Sequence, residues 1–137
     1  MFIESKYKKW YDNIIMNALI RSSNRVDANR ILGYSEKHHI IPKCMGGKNN
    51  KENLVYLSAR EHFICHLILI KIVDKEFIIK MKFALGKFIQ SSKLHNRKFT
   101  SHQYELIRKS ISEARSGYRH TDEAKIKISE GHKGQIP

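Results

Sequence analysis

His38-His39-Ile40-Ile41-Pro42, then Gly46-Gly47, Asn53-Leu54-Val55-Tyr56-Leu57-Ser58 and Glu61-His62 through His66, is the stretch whose reading decides the fold. It reads as a short strand, a glycine turn, a second short strand and a helix carrying two histidines. Gly46-Gly47 gives the backbone freedom to reverse, and Pro42 ends regular pairing. Leu54-Val55-Tyr56-Leu57 favours a strand. Ser58 with Glu61 three residues on predicts a capping box, which starts a helix just before His62. That helix is predicted to run from Ala59 to Val73.

The chemistry follows from the spacing. His62 and His66 are four apart, so on a helix they share one face with Cβ atoms about 5–6 Å apart. Two such imidazoles can hold one metal ion if a third ligand arrives from elsewhere. The first strand offers His38-His39, and neighbouring strand residues point to opposite sides. One imidazole can face the helix and complete a metal site while the other stays unligated. A free neutral imidazole beside a Lewis-acidic ion is what phosphodiester hydrolysis requires.

At these residues the chain resembles the HNH endonucleases, whose ββα-metal motif has the same order of elements. The resemblance covers about residues 36–69. It implies that His38, His62 and His66 are metal ligands, that His39 is the general base, and that Asn53 orients the base by bonding its ring or its backbone. It also implies cleavage to 3′-hydroxyl and 5′-phosphate ends. The cofactor it implies is one divalent ion, Mg2+ or Mn2+ in catalysis, although three imidazoles suit Zn2+ or another transition ion better. The rival reading is a non-catalytic DNA-binding protein with a structural metal, which normally takes four ligands. Cys44 in the turn is the candidate fourth. Cys65 directly precedes His66 and points about 100° away on the helix. Glu61 is read as a cap, and His95, His102, His120 and His132 have no partner at ligand spacing.

Lys and Arg number 26 against 13 Asp and Glu, a net charge of +13. The excess is spread, with 9 against 4 in residues 1–50, 10 against 4 in 51–99 and 7 against 5 in 100–137. A distributed excess suits a long contact with a polyanion, with double-stranded DNA ahead of an anionic membrane surface. Two cysteines, no signal-peptide pattern and no apolar run of spanning length point to a reduced cytoplasmic chain, the host cytoplasm if a phage encodes it. No dimer face is evident, so a monomer is expected.

The predicted fold class is α+β, mostly helical, with the ββα-metal motif packed between flanking helices. Residues 1–30 form an N-terminal helix and linker. The helix, over 4–21, carries Tyr7, Trp10, Tyr11, Ile14, Ala18 and Leu19 at helical spacing, and 22–30 read as a polar linker with room for a short helical turn before Ile31-Leu32-Gly33. The nuclease core spans 31–90 and includes a supporting helix over 75–90, whose Lys75, Lys80, Lys82 and Lys87 read either as a solvated face or as phosphate contacts, and 91–99 read as a second linker. In 100–137 a shift of seventeen residues superposes Arg108, Ile111-Ser112-Glu113 and Gly117 on Lys125, Ile128-Ser129-Glu130 and Gly134. These repeats resemble the nuclease-associated modules of homing endonucleases from phages and organelles, including those that serve intron homing. The resemblance implies short helices lying along DNA. Candidate DNA contacts are Lys43, Lys48 and Arg60 beside the motif, and Arg108, Arg115, Arg119, Lys125, Lys127 and Lys133 in the tail.

Overall fold

The computed structural model describes residues 2–90, 100–117, 123 and 125–127. Helix α1 (Lys6–Arg21) starts at Ser5, whose hydroxyl accepts from the Lys8 amide at 3.3 Å. Its buried face is Tyr11, Ile15 and Ala18. Trp10 and Leu19, assigned to that stripe from the sequence, are instead about half exposed. The ring of Trp10 rests edge-on against Tyr7 under the Lys6 ammonium, so its apolar surface is covered locally.

The short turn anticipated before Ile31-Leu32-Gly33 is a full two-turn helix. Asn24 caps a second helix, α2 (Arg25–Leu32), by accepting from the Asp27 amide at 2.8 Å. Only Ala28 of this helix is buried, so it carries no apolar stripe by which periodicity could reveal it.

Strands β1 (Glu36–His39) and β2 (Leu54–Leu57) pair antiparallel, with His38 opposite Val55 and His39 opposite Leu54. Glycine reversal does not join them directly. Residues 40–53 form a loop with two 3-10 turns, Lys43–Met45 and Lys51–Asn53. Gly46 ends the first of these at φ +89°, a left-handed conformation. Gly47 is needed for a different reason. A Cβ there would overlap the Ile41 carbonyl oxygen and press on Asn53 Nδ2 at 2.9 Å. Gly47→Ala should therefore lower stability by about 1–3 kcal/mol, read from the urea midpoint, because the loop cannot yield without breaking Asn53's bonds. An unchanged midpoint would show the loop to be pliable.

Helix α3 (Ala59–Ile72) starts at the anticipated capping box, with Ser58 and Glu61 bonded reciprocally. Arg21, at the end of α1, adds a two-pronged contact to Glu61 at 2.9 and 3.1 Å and donates to the Tyr56 carbonyl. Burial pushes the Glu61 carboxyl up, but the Arg21 guanidinium and the Ser58 bonds outweigh it and hold the group below the usual carboxylate range. One residue after Glu61 stands His62, so this junction sets where the helix histidines begin.

The main core lies between α1, the sheet and α3, with Tyr11, Leu57, Leu69 and Ile72 fully buried. After a 3-10 turn at Lys75–Phe77 comes α4 (Ile78–Gln90), which packs on α3. A second apolar cluster joins Phe63 of α3, Leu85 and Phe88 of α4, and Ile107. Ile107 belongs to α5 (Ser101–Gly117), a seventeen-residue helix lying on α4. The first tail repeat is thus part of a longer packed helix, tied further by Lys82 to Glu113 at 2.6 Å. Of the second repeat, residues 123 and 125–127 are helical, and Lys125 and Lys127 are exposed. Arg119, Lys133 and the 91–99 linker lie outside the described residues. The architecture is α+β and mostly helical, as read from the sequence. No helix among the described residues is long and apolar enough to cross a membrane.

Candidate metal centre and basic cleft

Strand β1 alternates sides, so Glu36 and His38 both face inward toward α3 and are buried. His62 and His66 stand one turn apart on α3, aimed at the same point. The three imidazoles form a triangle, with centroid separations of 5.1, 5.3 and 4.8 Å. One ligand atom from each lies within 4.8 Å of the others. Phe88 closes one side, its ring 4.9 Å from that of His62 and 5.2 Å from that of His66.

This donor set fits a divalent transition ion. Burial, and then the neighbouring imidazoles, hold His38 well below the usual histidine range, so its ring is neutral, as ligation requires. Glu36 Oε1 lies 2.7 Å from His62 Nδ1, and Glu36 Oε2 accepts from the Tyr34 hydroxyl at 2.7 Å. A carboxylate behind a ligating imidazole orients the ring and raises its basicity. Cys44 lines the same cleft but does not join the cluster, and burial pushes the Cys65 thiol up to about 12.

His39 is half-buried at the cleft's edge. Its Nε2 lies 3.1 Å from Asn49 Oδ1. The oxygen can only accept, so Nε2 donates and Nδ1 carries the lone pair. Asn53 does not touch the His39 ring. Its carboxamide accepts from the Ile41 amide at 2.8 Å and donates to the carbonyls of Ile41 and Lys48 at 3.0 and 2.9 Å. Asn53 thus pins both ends of the loop that follows His39, while its own carbonyl accepts from the Ile40 amide. Both amide hydrogens are spent on main-chain carbonyls, so the carboxamide has no donor left for the ring.

The imidazoles open into a cleft of about 570 Å³. Lys37, Lys43, Lys80 and Lys87 line it together with His39, and among the described residues no carboxylate does. Lys80 and Lys87 are two turns apart on α4 and so share a face. Lys43 was expected near the site, and Lys80 and Lys87 belong to the helix lysines read as candidate phosphate contacts; Lys37 was not singled out. Lys48 and Arg60 are exposed but do not line the cleft. Arg108 and Arg115 share an exposed face of α5 with Ser112 and Ser116, away from the histidines.

No family model matches the chain, and no solved structure matches it. Curated proteins do. The chain is 40% identical over 111 residues to probable mobile endonuclease D of Enterobacteria phage T4, a match covering 80% of this chain and 42% of that protein. It is 39% identical over 123 residues to probable mobile endonuclease E of the same phage, covering 90% of this chain and 82% of the relative. This chain belongs to the phage mobile endonuclease family. Probable mobile endonuclease C is 35% identical over 123 residues, covering 90% of this chain. Within the family lengths differ: the chain spans 42% of endonuclease D and 53% of endonuclease C.

Sequence reasoning missed the parts that Glu36 and Tyr11 play beside the histidines. Glu36 carried a usable signal, since it sits two residues before His38 on one strand face. Tyr11 was read only as part of the core stripe of α1, and Lys80 only as a candidate phosphate contact, because nothing but the packing of α1 and α4 brings them near the histidines.

Proposed function

We propose that this chain is a metal-dependent DNA endonuclease of the HNH type, hydrolysing phosphodiester bonds with His39 as general base. The observation that carries the reading is the convergence of three buried or half-buried imidazoles beside a fourth that joins no cluster, at the mouth of a cleft lined by lysines. A three-ligand set leaves a position open, which is the pattern of catalytic and not of structural sites. The relatives' names point the same way.

In this reading the backbone of one DNA strand enters the cleft, with Lys37 and Lys43 on the sheet side and Lys80 and Lys87 on α4 holding its phosphates. His39 Nδ1 takes a proton from the attacking water, and Asn49 fixes the ring's tautomer. Asn53 keeps the following loop, and with it the base, in place. A divalent ion on His38, His62 and His66 would stabilise charge developing on the phosphate and the leaving oxygen. The exposed face of α5, with Arg108 and Arg115, and the basic tail beyond it extend the contact along duplex DNA. A monomer in a phage-infected host's cytoplasm is the simplest setting.

The test is nicking of supercoiled plasmid with Mg2+, Mn2+ or Zn2+ added. Conversion to open circle is expected; plasmid that is bound yet intact under every ion would favour a DNA-binding protein with a structural metal. Binding should also be steeply salt-dependent. With about six to eight phosphates neutralised, affinity should fall roughly 10³–10⁴-fold between about 50 and 200 mM salt. Lys80→Ala and Lys87→Ala should each reduce the log–log slope by about one. A slope unchanged by both would place the DNA elsewhere.

A further inference from the structure

We infer that Tyr11 selects the nitrogen by which His38 meets the metal: its hydroxyl locks His38 as the Nε2–H tautomer, so that His38 ligates through Nδ1 while His62 ligates through Nε2. The inference rests on the metal site proposed above and names a positioning residue outside the motif. Tyr11 lies in the middle of α1, with no exposed surface. Its hydroxyl oxygen is 2.6 Å from the Ile40 carbonyl and 2.9 Å from His38 Nε2. A tyrosine hydroxyl has one proton, and a carbonyl oxygen can only accept. The proton therefore goes to Ile40, and the bond to His38 forms only if Nε2 donates. That leaves Nδ1 as the one nitrogen of His38 with a lone pair to give. His38 is 3% exposed, so bulk water offers no alternative partner for Nε2.

His62 is the mirror case. Its Nδ1 faces Glu36 Oε1 at 2.7 Å, and a carboxylate accepts, so Nδ1 carries the proton and Nε2 the lone pair. Strand and helix thus present opposite nitrogens to the shared point. Each is set by a buried oxygen behind the ring, the Tyr11 hydroxyl for one and the Glu36 carboxylate for the other. Tyr11 has a second effect through the same oxygen. By accepting from His38 and donating to Ile40, it ties the metal ligand to the start of the loop that follows His39. Ring orientation and loop position are therefore set together by one side chain from α1.

The experiment uses the full chain with its histidines labelled with 15N. Long-range 1H–15N spectra of the metal-free protein at alkaline pH should show His38 with a protonated Nε2 and a bare Nδ1. Added Zn2+ should shift Nδ1 of His38 and Nε2 of His62. Tyr11→Phe keeps the ring and removes only the hydroxyl. It should release the His38 tautomer, leave the His62 pattern as it was, and weaken Zn2+ binding about 10–100-fold by competition with a chromophoric chelator. A merely structural role would lower the melting temperature without altering the tautomer. A protonated Nδ1 on His38 in the wild-type protein overturns the inference, whether or not the variant folds. So does Zn2+ affinity unchanged in Tyr11→Phe. A wild-type chain that takes up no divalent ion would sink the proposed metal site and the ligand assignment with it, a result distinct from uptake that ignores Tyr11.

Discussion

Replacing His39 with alanine is expected to slow DNA cleavage by about 10²–10⁴-fold while leaving DNA affinity and metal content close to wild type. That range is what a positioned general base contributes. The geometry separates this residue from the others. His39 lies on the sheet face opposite His38, its ring bonds the exposed Asn49, and it is absent from the imidazole triangle. Truncation therefore removes a lone pair from the cleft and little else. Single-turnover cleavage with protein in excess isolates the chemical step, and gel-shift titration on the same duplex reads binding. Equal losses in both would make His39 a structural or DNA-contacting residue. Cleavage at the wild-type rate would place the base elsewhere.

His62→Ala should have the larger effect, because it removes a ligand and strands its support. Two imidazoles remain, and Glu36, 5% exposed, keeps Tyr34 but loses the ring at 2.7 Å. An acceptor left without one partner in a buried site costs about 1–3 kcal/mol. The variant is expected to carry almost no metal after dialysis, to melt at a lower temperature and to leave plasmid uncut under conditions where His39→Ala still nicks slowly. Elemental analysis of the dialysed protein decides the matter. Full metal occupancy in His62→Ala would remove this residue from the site.

The two variants separate what the sequence could reveal from what it could not. The ββα order was legible because each part has a local cause: a β-favouring run at Leu54–Leu57, a capping box at Ser58 and Glu61, and one helical turn between His62 and His66. Helix α2 was legible only as a turn within a linker, since it has an Asn24 cap but buries a single alanine and shows no apolar stripe. The exposure of Trp10 was not legible. Periodicity finds apolar residues on one side of a helix, but which of them meets the core depends on where the neighbouring helix and sheet are placed. The tail repeat was legible only in part: its first copy is a helix ending at Gly117, but that helix's place on α4 had no local signal. Ile107 and Ile111 dock it there, a contact that spacing within the repeat cannot show.

Asn53 shows the limit most clearly. Its position in the motif was evident, but a carboxamide offers two donors and one acceptor oxygen, and the sequence cannot say where they go. The loop decides it, since Gly47 lets the chain pass close enough to Ile41 for Asn53 to bond both sides.

By itself the sequence determined which residue types could meet a metal and a phosphate, and in what order along the chain. Those are properties of spacing within one strand and one helix, over distances a few residues long. Only the tertiary structure decided what stands behind each imidazole and what lines the cleft in front. Tyr11 reaches His38 across 27 positions of chain, and Lys80 and Lys87 reach the cleft from a helix that begins after the motif has ended. Such contacts are fixed by how α1 and α4 bury their apolar faces against α3, a packing problem with no local signature.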